Sequence, residues 1–250
     1  MFFNKSRINK HLEEGDALYK NKKFDEAIEE YTKAIQLDKK NARAYAGRGR
    51  IYGYKRNYDP AIADLETALR IAPKAEDRLD SRAISLMGDM DRKELIDNYK
   101  ARGQGYTDKR DYDKALADFN SALKVDPQNA SIYQERGRAY MKMDDLDKSL
   151  ADYASAIRIE PQDTNSYLCR GNIYKRQGNY DLAFKDYGTA LKINPKNPFA
   201  YLNRGDAYHD KGDYQLALKD YEMAIQLNPS LESIHKYWID DVKNKLSSEG

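Results

Sequence analysis

The sequence is poor in the residues that most catalytic, metal and disulfide sites use. It contains one cysteine, Cys169, and three histidines, His11, His209 and His235, which are far apart along the chain. A single cysteine forms no internal disulfide, which fits a reducing compartment, so cytoplasm is the expected location. No HExxH, CxxC or GxSxG motif is present. We therefore expect no enzyme activity, no metal site and no cofactor.

Long apolar runs are missing as well. No run approaches the roughly 20 residues that a transmembrane helix needs, and only Phe2 and Phe3 precede the first polar residues, so no signal peptide is recognisable. Charged residues make up 34% of the chain and the mean hydropathy is -0.93, which indicates a soluble protein. With 43 basic and 41 acidic residues the net charge is +2, too small to attract nucleic acid by overall charge. We expect no membrane partner, and a nucleic-acid partner is disfavoured.

What the chain does have is an internal repeat. An Arg-Gly pair recurs every 34 residues, beginning at Arg102, Arg136, Arg170 and Arg204. Counted from seven residues before the glycine, six repeats occupy residues 8–41, 42–75, 96–129, 130–163, 164–197 and 198–231. Residues 1–7 are a lead-in, residues 76–95 interrupt the rhythm as an insertion, and residues 232–250 follow the last repeat.

Within each repeat, small and large residues keep fixed positions. Position 8 is always glycine, position 27 is always alanine, and position 20 is alanine except at Ser149. Tyrosine or leucine occupies position 11, and aromatic residues or leucine occupy positions 17 and 24, with spacings of three to four residues. This pattern predicts two antiparallel amphipathic helices per repeat, with most of the 21 tyrosines in the core. The alternative, a tyrosine platform on which nucleic-acid bases stack, is disfavoured.

Proline at position 32 ends the second helix in five repeats, with Lys39 as the exception. Glycine, tyrosine, alanine and proline at these positions on this period resemble the tetratricopeptide repeat family. The resemblance implies an all-α, right-handed α-solenoid of antiparallel helix pairs. It also implies that the first helices line a concave face that binds peptides or other proteins.

The segments outside the repeats carry helical signals of their own. In residues 232–250, the spacing of Ile234, Trp238, Val242 and Leu246 predicts a single capping helix with Trp238 packed on the sixth repeat. In residues 76–95, an apolar pattern from Leu79 to Met87 predicts one short helix that ends near Gly88. Asp91 and Glu94 then have the spacing of a capping box. Two interpretations stay open for this insertion: a tolerated interruption, or a segment that covers the groove mouth or mediates self-association.

Charged residues also repeat. Five repeats have arginine at position 7, and all six have an acidic residue at position 23. These residues can pair within a repeat or between neighbouring repeats. Pairing within the first repeat would place Glu14 opposite Glu30, so we favour pairing between repeats, for example Asp152 with Arg170.

By the resemblance, positions 2, 5, 9, 12 and 13 line the concave face. The fourth and fifth repeats place four basic and no acidic residues there, which favours a basic groove over an ordinary solvated helix face. The candidate peptide-binding residues are Arg50, Arg138, Lys142, Leu168, Asn172, Lys175, Arg176 and Leu202.

These features predict a non-enzymatic scaffold or adaptor that binds an acidic or amphipathic segment of another protein. Two alternatives remain: a structural protein that self-associates, and a helical-repeat protein that binds RNA; a monomer is favoured. Tetratricopeptide domains that grip the acidic C-terminus of a heat-shock chaperone use a set of lysine, asparagine and arginine residues on three repeats. No three consecutive repeats here carry that set, so this role is disfavoured.

Overall fold

The computed structural model describes residues 2–71 and 81–248, with side chains from residue 5 to 71 and from 91 to 248. Within these residues all regular secondary structure is α-helical. The helices are α1 (Phe2–Lys20), α2 (Phe24–Leu37), α3 (Ala42–Tyr54), α4 (Tyr58–Ile71), α5 (Ser81–Asp108), α6 (Tyr112–Val125), α7 (Ala130–Lys142), α8 (Leu146–Ile159), α9 (Thr164–Arg176), α10 (Tyr180–Ile193), α11 (Pro198–Lys211), α12 (Tyr214–Leu227) and α13 (Leu231–Ser248).

The chain forms two compact halves, Met1–Pro127 and Gln128–Gly250. In the N-terminal half the hairpins are α1 with α2, α3 with α4 and α5 with α6, and each second helix packs on the next first helix. The C-terminal half repeats this arrangement with α7 to α12, and α13 packs on α12. The prediction of an all-α fold of stacked antiparallel helix pairs is confirmed.

Close packing between the two helices of a hairpin explains the invariant glycine at position 8. A Cβ atom on Gly171 would lie 2.6 Å from the ring of Tyr187, and one on Gly15 would lie 2.9 Å from the ring of Tyr31. Both rings are buried. A side chain at Gly15 or Gly171 would therefore clash with the aromatic ring at position 24, which would have to shift within the core.

Position 20 is also buried at the hairpin interface, and there the single exception is accommodated. Ala27, Ala115 and Ala183 are fully buried, and Ser149 takes the same place. The Ser149 hydroxyl donates a hydrogen bond of 2.7 Å to the carbonyl oxygen of Gly137 on the facing helix. The buried hydroxyl is thereby satisfied, so serine replaces alanine without a large penalty.

Arginine and aspartate form an ion pair inside each of five hairpins. The guanidinium of Arg136 donates to both carboxylate oxygens of Asp152, at 2.8 and 2.7 Å, and 16 residues separate the two. The same bidentate pair joins Arg48 to Asp64, Arg102 to Asp118, Arg170 to Asp186 and Arg204 to Asp220. The ring of the tyrosine at position 4 lies 5.5 to 5.9 Å from each guanidinium, within cation–π range.

The predicted pairing between neighbouring repeats is therefore wrong. Positions 7 and 23 face each other across one antiparallel hairpin, so Asp152 binds Arg136 rather than Arg170. The like-charge pair expected in the first repeat is present, because carboxylate oxygens of Glu14 and Glu30 lie within 4.8 Å of each other. It is partly offset, because Glu30 also binds His11 and Lys33. Contacts to the preceding repeat are secondary: Arg48 also donates to Thr32 at 2.9 Å.

The insertion differs from its prediction. Helix α5 runs without interruption from Ser81 to Asp108, so the prediction of a helix that ends near Gly88 is wrong. Asp91 lies inside this helix, where it accepts a hydrogen bond from Arg50 instead of capping a new helix. An interhelical ion pair has replaced the predicted capping box. Leu79 and the rest of residues 72–80 lie outside the described residues, as do the side chains of Ala83, Ile84 and Met87.

Helix α13 covers the sixth repeat with a different stripe from the one predicted. Leu231, Ile239 and Val242 are buried against α12. Trp238 is 43% exposed and Ile234 is 69% exposed, so the prediction that Trp238 is buried is wrong. Its ring does contact the sixth repeat, with its centroid 5.1 Å from that of His209. The packed stripe passes through Ile239 and Val242, which turns the neighbouring Trp238 toward the edge of the interface.

The ion pair within a hairpin leads to a first prediction. Asp152→Ala leaves the largely buried Arg136 guanidinium without its carboxylate, so the free energy of unfolding in urea should fall by about 3–5 kcal/mol. The double exchange Arg136→Asp with Asp152→Arg should recover part of the stability lost by either single change. The matched exchange Asp152→Arg with Arg170→Asp should recover none. If the Asp152/Arg170 exchange recovered more stability than the Arg136/Asp152 exchange, pairing between repeats would be supported instead.

The orientation of α13 leads to a second prediction. Ile239→Ala creates a cavity against the sixth repeat and should cost about 2–4 kcal/mol. Trp238→Ala, one residue earlier, removes a half-exposed ring and should cost less than about 1 kcal/mol. Urea unfolding of both variants checks this, and a greater loss for Trp238→Ala would contradict the orientation.

Candidate peptide-binding surface

Seven of the eight predicted binding residues lie on first helices of the C-terminal half, and Arg50 lies on α3 of the N-terminal half. Arg50 is engaged within its own half, because it binds Asp91 and lies 3.9 Å from Glu94, both on α5. Only 22% of its side chain is exposed. Arg50 therefore joins α3 to α5 and presents little charge to a partner.

The two predicted leucines are buried. Leu168 on α9 is 7% exposed, and Leu202 on α11 is 3% exposed. Position 5 packs into the hydrophobic core here, so neither leucine offers the apolar contact expected of it. Phe199 on α11, at position 2, is 55% exposed and provides the apolar surface that the leucines lack.

Most of the predicted basic residues lie close to acidic side chains. Arg138 pairs with Glu135 on the same helix. Arg176 lies 2.8 Å from Asp144, and this pair is exposed on both sides. Lys175 lies 3.7 Å from both Asp206 and Asp210 on α11. The surface therefore has alternating charges and is not uniformly basic, while Lys142 is exposed at the end of α7.

Exposed ion pairs on this surface would compete only weakly with a bound partner. Ion pairs between solvated side chains contribute roughly 0–1 kcal/mol, so a carboxylate of a bound peptide exchanges with Asp144 at little cost. At 3.7 Å, the Lys175 ammonium is beyond hydrogen-bond distance from either aspartate. Arg176 is 53% exposed, whereas Lys175 is 23% exposed and lies near two aspartates, so Arg176 is the more accessible of the two cations.

A buried tyrosine fixes the orientation of the Asn172 side chain, which lies at position 9 of the fifth repeat. The buried hydroxyl of Tyr187 donates a hydrogen bond of 2.7 Å to the Asn172 Oδ1 atom. In the described residues the Nδ2 group has no protein acceptor, so its two N–H donors are available to a ligand. Tyr31 with Asp16 and Tyr221 with Asp206 repeat the contact between positions 24 and 9. Sequence reasoning missed this contact, although the 15-residue spacing was visible.

Perturbed groups near this surface are structural. Burial raises the pKa of Tyr187 above its ordinary value. Burial likewise raises the pKa of the Cys169 thiol, with the Tyr153 hydroxyl opposing the shift. A raised pKa keeps this thiol protonated at neutral pH, so Cys169 is not an activated nucleophile. The Asp186 carboxylate raises the pKa of Arg170, which stays charged.

Within each half, antiparallel helix hairpins stack on one another, and they follow a 34-residue sequence period that is typical of a helical-repeat protein. The profile described as TPR repeat matches residues 15–55 and 171–212, and profiles described as tetratricopeptide repeat match residues 42–74, 103–170 and 198–231. The chain belongs to the tetratricopeptide repeat family.

Two relatives and one solved structure illustrate the similarity. The chain is 25% identical over 166 residues to stress-induced-phosphoprotein 1 of Caenorhabditis elegans. This alignment covers 48% of the chain and 52% of that protein. It is 30% identical over 116 residues to the Hsp70-Hsp90 organizing protein of Triticum aestivum, over 46% of this chain and 18% of that protein. The chain thus spans about half or less of these relatives.

The crystal structure of YrrB, described as a TPR protein with an unusual peptide-binding site, superposes with a TM-score of 0.57 at 20% identity. The match covers 80% of this chain and 92% of that one, and it establishes the shared fold. Across the described residues, no helix has the length and apolar character needed to cross a membrane.

Proposed function

We propose that this protein is a non-enzymatic interaction scaffold that binds an acidic, amphipathic segment of another protein on the first-helix face of its C-terminal half. The observation that carries the proposal is the Asn172 amide, fixed by Tyr187 with its N–H donors free. An oriented amide suits the carbonyl groups of an extended peptide, whose backbone would otherwise lose hydrogen bonds on leaving water.

The neighbouring cations are the reason to expect acidic side chains in the bound segment. Lys175 and Arg176 lie three and four residues after Asn172, which places them one helical turn further along α9. A carboxylate on the peptide would displace Asp144 from Arg176 and approach the Lys175 ammonium. Charge would govern orientation and association rate, while Phe199 would supply apolar contact at the other end of the face.

Names of relatives agree with a scaffold without fixing the partner. The wheat relative is named for organising Hsp70 and Hsp90. In this chain the basic residues of the face alternate with Asp206, Asp210 and Glu135. A ligand with acidic and apolar side chains interspersed fits this alternation better than a run of acidic residues alone.

Self-association is a second candidate, favoured by one observation. Ile234, Tyr237 and Trp238 expose 69%, 70% and 43% of their surfaces on one side of α13. Neighbouring exposed apolar side chains often mark a protein interface. Light scattering over a concentration series measures the oligomeric state; a mass that rises with concentration in the native chain and stays monomeric in Tyr237→Ser/Trp238→Ser would support this candidate.

The peptide-binding proposal predicts the effect of charge reversal. Lys175→Glu with Arg176→Glu should weaken binding of a short fluorescent peptide of alternating acidic and leucine residues by about tenfold or more at low salt. The loss should shrink as salt rises. The melting temperature should fall only modestly, because Arg176 is exposed, although Lys175→Glu places a further carboxylate near Asp206 and Asp210. Anisotropy titrations and thermal melts measure both effects.

A matched control carries the same charge change elsewhere. Lys185 and Lys192 are exposed on α10, a second helix, so Lys185→Glu with Lys192→Glu should leave peptide binding nearly unchanged. Asn172→Leu should weaken acidic and neutral versions of the peptide alike, because it removes a contact to the peptide backbone. Equal loss in the two charge-reversal variants, or none in either, would overturn the proposed surface. Pull-down with mass spectrometry would then identify the natural partner.

A further inference from the structure

The first repeat departs from the other five at three positions that face one another. Position 4 holds His11 in place of tyrosine, and position 7 holds Glu14 in place of arginine. Position 23 holds Glu30 in place of aspartate. The other repeats have a guanidinium at this point of the hairpin, held by a carboxylate and covered by an aromatic ring. The first repeat has an imidazole and two carboxylates instead.

These three side chains converge. His11 and Glu14 lie three residues apart on α1 and so share one face, and Glu30 reaches them from α2. The His11 Nδ1 atom lies 2.6 Å from the Glu30 Oε2 atom. One nitrogen or oxygen atom from each of the three residues lies within 4.8 Å of the other two.

The carboxylates of this cluster do not each have a cation of their own among the described residues. Lys33 binds the Glu30 Oε1 atom at 2.6 Å and leaves Oε2 to His11. Glu14 is exposed and makes no hydrogen bond or ion pair within the described residues. Two carboxylates therefore share one lysine at a position where the other repeats have a complete ion pair. A divalent cation would supply the missing positive charge.

We propose that His11, Glu14 and Glu30 bind a divalent transition-metal ion, with zinc as the best match. One imidazole and two carboxylates are a ligand set that zinc accepts, with water in the fourth place. Tetrahedral coordination with bonds of about 2.1 Å places ligand atoms about 3.4 Å apart. Reaching that spacing requires the His11 and Glu30 atoms, now 2.6 Å apart, to separate and the Glu14 carboxylate to move closer. The metal takes the place of the proton between His11 and Glu30, and Lys33 keeps the other Glu30 oxygen.

The role of such a site would be structural. A metal held by α1 and α2 ties the two helices of the first hairpin together, as the ion pair does in the other five. It would therefore raise the stability of the native state in proportion to its occupancy.

The test uses the full chain with zinc and cobalt salts. Calorimetry should show one zinc ion bound per chain, and cobalt should give the visible absorption bands of a four-coordinate ion. Glu14→Arg should weaken zinc binding by at least about tenfold, because it removes one ligand and places a cation beside Glu30. It also restores the arginine found in the other repeats, so the variant should stay folded by circular dichroism.

Further variants distinguish this site from adventitious surface binding. His11→Gln should abolish the cobalt bands, while Glu13→Gln and His235→Gln, which lie outside the cluster, should leave zinc affinity and spectrum unchanged. Magnesium, which prefers oxygen ligands, should compete weakly. Equal zinc affinity in the native chain, Glu14→Arg and His11→Gln would overturn the proposal, as would the absence of calorimetric binding in the native chain.

Discussion

The bidentate pair between arginine at position 7 and aspartate at position 23 is the interaction on which five of the six hairpins depend. It lies between the two helices of a hairpin and fixes how they face each other. The same contact orders the adjacent side chains, because the guanidinium is held over the tyrosine at position 4. The glycine at position 8 then receives the aromatic ring from position 24. In the fifth repeat that ring hydroxyl orients Asn172. Core packing and the candidate binding surface are thus parts of one arrangement.

Much of the fold was readable from the sequence. The 34-residue period and the glycine and alanine positions predict the helix pairs, and the structure confirms them. The tyrosine prediction holds only in part, because five tyrosines are buried and most of the others are partly buried against the core. These features are local or repeat often enough to average out individual exceptions. Ser149 is such an exception, and its hydroxyl donates a hydrogen bond to the carbonyl oxygen of Gly137.

The aspartate that pairs with each arginine could not be predicted from the sequence. Arg136 has an aspartate on its own hairpin and another on the preceding one, and composition does not distinguish them. The helix-crossing geometry does, since an antiparallel turn brings residues 16 apart into register. Trp238 was misassigned for a related reason. Two overlapping apolar stripes exist on α13, and only packing against α12 selects the one with Ile239 and Val242.

The candidate surface was half predictable. Asn172, Lys175 and Arg176 lie on a first helix, as the repeat pattern predicts. The burial of Leu168 and Leu202 and the aspartates beside Lys175 and Arg176 depend on neighbouring helices and loops. No metal site is predicted from the sequence, because the three histidines lie far apart along it. The cluster at His11 takes its other groups from carboxylates that become neighbours only when the hairpin closes.

The most direct measurement of the central claim is an NMR titration of the isotope-labelled chain with the acidic amphipathic peptide. The account predicts that the Asn172 side-chain amide and the backbone amides around Lys175 and Arg176 shift with one common binding curve, while signals from α10 stay in place. Shifts confined to α13 or to the second helices, with an unmoved Asn172 amide, would contradict it.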